Sequence, residues 1–203
     1  MANVNTAELR ASLKNCVEFC RANDDRDYCQ RHLPRLEKAL HKLQESRDET
    51  DACFTEWREE QRQQKQSWKE LAHELRGTQE ELSRVDASGF PDERVMYWDE
   101  EILSEAINRM IDWLRENDEI DFAVDAADKL ERKLESAEGE NEDQQEALRV
   151  YQNKVKKRSD SMGRAIQVVG DFRDLLRDQL GEQDADYQSI RWPYALSPDD
   201  NFF

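Results

Sequence analysis

The chain has 203 residues, 38% of them charged, with a formal net charge of −17 and a mean hydropathy of −1.05. That polarity excludes a thick round core, and the acidity argues against direct contact with nucleic acid or an anionic membrane surface. Leu, Ile, Trp and Phe recur at regular spacing and there are only 6 Gly and 4 Pro, so the chain is not disordered and reads as long, charge-laced helices.

The first helix is expected over 6–22, where Leu9, Leu13, Cys16, Val17 and Cys20 make an apolar stripe. Asn23, Asp24 and Asp25 supply turn chemistry after it. The second helix is expected over 33–86. Alternating steps of three and four visit Leu33, Leu36, Leu40, Leu43, Arg47, Thr50, Phe54, Trp57, Gln61, Gln64, Trp68, Leu71, Leu75, Thr78, Leu82 and Val85 without a slip, which is the pattern of a coiled coil. Pro34 fits only a first turn, so regular helix should begin near it. At 1.5 Å per residue this segment would be roughly 80 Å long.

The cluster Asp86-Ala87-Ser88-Gly89-Phe90-Pro91 ends the second helix. A third is expected over 92–137, with Leu103, Ile107, Met110, Trp113, Leu114, Leu130 and Leu134 on a broad apolar face and a weak point at 116–119. Gly139 marks the next turn, and a fourth helix over 142–180 stops at Gly181, suited to a C-cap. The fold expected is all-α: an elongated, antiparallel, coiled-coil-like three-helix bundle with an additional short N-terminal helix, as one unit over 1–181, and a non-helical aromatic tail over 182–203.

Folding this chain about residues 90 and 140 brings Gln61 and Gln64 level with Glu116 and Glu119, and those with Arg158 and Ser161. The expectation is one buried polar layer that sets helix register. Of the four cysteines, Cys20 and Cys29 flank the first turn at equal distances and could face each other as a redox pair; the bland reading is small apolar core residues. Cys53 lies too far along the second helix to join them, so no zinc site is expected.

Glu70 and His73 form a single Glu-x-x-His pair, short of the set a di-iron bundle needs. No phosphate-binding, metalloprotease or hydrolase motif occurs. No catalytic, cofactor-binding or metal-binding residue is therefore assigned, no cofactor is expected, and an enzyme is not. Lys154, Lys156, Lys157 and Arg158 form a basic run, read as a solvated face paired with Asp121, Asp125 and Asp128 of the third helix.

The tail concentrates Tyr187, Ile190, Trp192, Tyr194, Leu196, Phe202 and Phe203 in a stretch that Pro193 and Pro198 bar from regular helix. It either folds back to cap the core or inserts aromatic anchors into a partner. The leading functional expectation is a non-enzymatic structural or adaptor protein binding another protein, one with a basic or aromatic-accepting surface. The first alternative is an acidic decoy that occupies a basic, nucleic-acid-binding surface. A weaker one is a helical-bundle metalloprotein. The third helix's broad apolar face leaves homo-oligomerisation open. No stretch approaches the ~20 apolar residues of a membrane span, and residues 1–13 show no basic stretch followed by an apolar run, so a cytoplasmic protein with reduced cysteines is expected.

Overall fold

A computed structural model describes residues 5–97 and 99–193. The protein is an all-α helical bundle, and five helices lie among the described residues: α1 (Thr6–Ala22), α2 (Asp27–Arg84), α3 (Glu100–Glu116), α4 (Ala123–Leu180) and α5 (Ala185–Ser189). The chain divides into two compact units. One comprises Met1–Ala52 with Gln152–Phe203, the other Cys53–Tyr151. Each packs a third helix on its segments of α2 and α4, α1 in the first unit and α3 in the second, and the first unit adds the short α5.

In the first unit, the Asn5 side chain accepts the Ala7 N–H at 3.0 Å and starts α1. Asn23 ends it, donating both its backbone N–H and its side-chain amide to the Phe19 carbonyl. Leu9, Leu13, Cys16 and Cys20 are wholly buried against Leu36, Val169, Phe172 and Leu176. Segments 27–52 and 152–180 run antiparallel, tied by Glu49–Lys154 (2.6 Å) and Asp51–Arg158 (3.8 Å). The basic run of α4 therefore meets α2 at these two pairs.

α2 begins at Asp27, ahead of the expected start near Pro34, which sits inside the helix. Proline there forfeits the hydrogen bond to the Gln30 carbonyl. The preceding turn holds because Cys29 is fully buried and Arg26 links Tyr28 (2.7 Å) to Asp186 (3.2 Å). At the other end α4 stops at Leu180, with Gly181 at φ +86° and its N–H on the Arg177 carbonyl. The following stretch contains α5, capped by Asp184, where a non-helical tail was expected.

In the second unit, α2 ends in a Schellman motif built on an aspartate. Asp86 takes φ +53°, Ala87 N–H bonds the Leu82 carbonyl and Asp86 N–H the Ser83 carbonyl. The expected helix from 92 starts only at Glu100. The Gln79 amide binds the Pro91 and Glu93 carbonyls at 3.0 and 3.3 Å, and Val95 is buried, so this stretch is held as an irregular strap. Asn117 then ends α3 with the device Asn23 uses on α1, its side-chain amide reaching the Trp113 carbonyl at 2.8 Å. The turn lies at 117–122, and Gly139, where a turn was expected, is interior to α4. One isolated glycine costs a helix only about 1 kcal/mol, less than the packing of Leu134 and Ala137 one turn before it secures. Leu71, Leu75, Leu103, Ile107, Met110, Leu114 and Leu130 form this unit's core. No helix among the described residues is long and apolar enough to cross a membrane.

Candidate protein-interaction surface

The unit Cys53–Tyr151 contains one stretch that its own core does not finish. Across 53–67 of α2 and 138–151 of α4, no residue is buried. The heptad walk nevertheless passes through Phe54 and Trp57 here, facing Tyr151. Trp57 and Tyr151 stack with centroids 5.6 Å apart and planes 3° from parallel. Phe54 packs on both, at 5.7 and 5.4 Å, and remains 39% exposed. The Trp57 indole N–H is shut off from solvent without a partner. Large rings at seam positions demand cover, and within this stretch, among the described residues, α2 and α4 form a two-helix pair.

The two sides of this pair differ in charge: cations predominate on one, and the other is acidic. Arg58, Arg62, Lys65 and Lys69 follow one another along α2 at steps of four, three and four, so they share a side of the helix. Arg58, Arg62 and Lys65 line a recess of about 740 Å³ together with Thr55, Gln61, Trp68 and Tyr97 and with the carboxylates of Glu59 and Glu100. Arg58 lies over the Phe54 ring (5.7 Å) and Lys69 over Tyr97 (5.2 Å). Arg62 is paired with Glu59 at 2.6 Å, and that bond, then one from Gln63, holds the Glu59 carboxyl below its usual range. Among the described residues Arg58, Lys65 and Lys69 make no ion pair. A second recess, of about 350 Å³, is bordered by Glu56, Glu60, Asp143 and Glu146 over Ala147 and Val150.

Where α3 joins the pair, a polar node closes the stretch. The Asn141 side-chain oxygen accepts from Gln64 Nε2 (2.7 Å) and Trp68 Nε1 (2.9 Å), and Gln64 also donates to Glu100 (3.0 Å). The six residues expected to share one polar layer do not assemble. Arg158 faces Asp51, and Ser161 borders a recess with Lys42 and Asp160 in the other unit. Glu116 ends α3 and Glu119 lies in the turn after it. Gln61 faces the basic recess, and Gln64 chooses Asn141 because the turn is at 117–122.

Tyr187 and Ile190 are 6% and 3% exposed, within the core of the first unit, and Trp192 packs beside Tyr187 at 5.5 Å. Of the two expected arrangements, these residues take the one that folds back on the bundle: Tyr187 and Ile190 are core side chains and Trp192 is partly buried against them. Tyr194, Leu196, Phe202 and Phe203 lie outside the described residues. Cys16, Cys20 and Cys29 are all buried. Cys20 and Cys29 belong to the same buried cluster. Burial pushes the Cys16 thiol up to about 12 and raises those of Cys20 and Cys29, so few thiolates form at neutral pH. Cys53 belongs to the other unit. Glu70 lies 4.0 Å from Lys133, His73 is exposed, and no cluster of three His, Cys, Asp or Glu suited to a metal occurs among the described residues.

The aromatic and basic surface was visible in the sequence as Phe54 and Trp57 on the seam, flanked by cations at steps of four, three and four. It was missed because the interleaved charges of α2 read as uniform solvation. No protein-family profile matches the chain, and no curated protein or solved structure matches it either.

Proposed function

We propose that this chain is a non-enzymatic structural or adaptor protein that holds another protein chain on the uncovered helix pair of its Cys53–Tyr151 unit. The observation that carries the reading is the absence of any buried residue over 53–67 and 138–151 despite three mutually packed aromatic rings. Aromatic anchors ringed by cations resemble the centre and rim of protein interfaces. A partner helix laid on this pair would supply the third helix that α3 supplies farther along α2. Reduced, buried cysteines suit a cytoplasmic setting, which forms part of the same proposal.

Site-specific photocrosslinking tests the reading. A photoreactive phenylalanine analogue at position 54 is expected to give a discrete protein adduct in native lysate, and the same group at exposed Lys38 is expected to give none. The adduct should vanish in an Arg58→Glu/Lys65→Glu background. Absence of an adduct from position 54, or identical adducts from both positions, would sink the proposal.

A further inference from the structure

Resting on that reading, we infer that the occupant of the basic side is the acidic side of a second copy of this chain. The complement is present within one unit. Residues two apart on a helix point about 200° from each other, so Glu56 and Glu60 project opposite to Arg58 and Arg62. Discounting Arg62, paired with Glu59, and Glu146, paired with Arg149, Arg58, Lys65 and Lys69 on one side face Glu56, Glu60 and Asp143 on the other, all six without an ion pair among the described residues; Glu100 at the basic recess is held by the Gln64 amide. Lys65–Lys69 and Glu56–Glu60 each span one helical turn, about 6 Å, so their spacings match. Ala147 and Val150 give the acidic recess a small apolar floor, suited to the protruding edge of Phe54.

The contact joins two different surfaces and is therefore heterologous. A copy seated by its acidic side keeps its basic side free, and growth continues into a ring or an open array. Net charge opposes the assembly while local complementarity favours it, and salt separates the two. The −17 charge repels across a Debye length of about 30 Å at 0.01 M, shrinking to about 8 Å at 0.15 M and about 3 Å at 1 M. Association should peak at intermediate ionic strength and decline on both sides.

Light scattering and sedimentation on the full chain over a concentration series test this. The wild type is expected to exceed the 24.0 kDa monomer with a mass that grows with concentration, most strongly near physiological salt. Arg58→Glu/Lys65→Glu/Lys69→Glu makes both sides acidic, and Glu56→Lys/Glu60→Lys/Asp143→Lys makes both basic. Each variant alone should remain at the monomer mass, and an equal mixture of the two should associate. Such rescue also shows that both variants fold. A wild type that stays monomeric throughout, or a mixture that does not associate when the wild type does, overturns the inference. If the position 54 crosslink then captures a different protein, only the identity of the occupant was wrong. If it captures nothing, the interaction reading falls as well.

Discussion

Asn141→Ala isolates the polar node where α2, α3 and α4 meet. The Asn141 oxygen receives both the Trp68 indole N–H and the Gln64 amide. Trp68 is 2% exposed, so its N–H has little water to turn to, and a buried donor left unsatisfied costs about 1–3 kcal/mol. Gln64 keeps its bond to Glu100 and loses at most about 1 kcal/mol. Replacing Asn with Ala in a helix interior returns about 0.6 kcal/mol. The balance is a loss of about 2 kcal/mol, which at a urea slope of about 2 kcal/mol/M lowers the midpoint by about 1 M. Trp57, Trp68, Trp98 and Trp113, four of the five tryptophans, belong to Cys53–Tyr151, so urea titration followed by tryptophan fluorescence reports mainly on the affected unit. A double-mutant cycle with Trp68→Phe should show coupling of at least about 1 kcal/mol, because the second change removes the orphaned donor. An unchanged or higher midpoint for Asn141→Ala, or strict additivity in the cycle, would refute the reasoning.

Gly139→Ala should stabilise the chain by about 1 kcal/mol, because Gly139 is interior to α4 and an added Cβ meets nothing within 4 Å; a loss in thermal or urea midpoint would place a turn there after all. Ile190→Ala removes a side chain that is 3% exposed and should cost about 2–4 kcal/mol, measured by urea unfolding followed by circular dichroism; a neutral result would take the stretch after Gly181 out of the core. In native protein at neutral pH, half-buried Cys53 should react with a thiol reagent well before Cys16, Cys20 and Cys29, and four equal rates by mass spectrometry would contradict their burial. His32 lies 5.7 Å from the Phe172 ring, and burial, then nearby Arg35, lowers its pKa against an opposing pull from Asp171. The unfolded chain therefore takes up this proton first. The stabilising contribution is complete above the ordinary histidine value of about 6.5 and drains as pH falls through the lower folded value. His32→Phe should accordingly show a smaller drop in melting temperature from pH 7.5 to 5.5 than the wild type, and equal drops would argue against it.

The all-α class was legible because it rests on periodicity, which any helix-length window displays. Ends written by residues within one turn were legible too: Asn23 ends α1, and Gly181 stops α4. The path between the long helices depended on ranking two weak breakers against each other, and local chemistry ranks them wrongly. Gly139 is a poor helix former with no active stop, whereas Asn117 binds the Trp113 carbonyl and actively terminates α3. Moving one turn from 139 to 117–122 replaces every facing pair. Gln64 then meets Asn141, where Glu116 was expected, and the anticipated polar layer dissolves. The interaction surface was hidden for a different reason. Net charge and composition sum over all sides of a helix, while binding depends on how charge differs between sides. Glu56 and Arg58, or Glu60 and Arg62, cancel in the sum and point in opposite directions on the helix. An acidic chain can thus carry a basic groove, and what reveals it is the absence of a covering helix over Phe54, Trp57 and Tyr151, which only the placement of α3 makes visible.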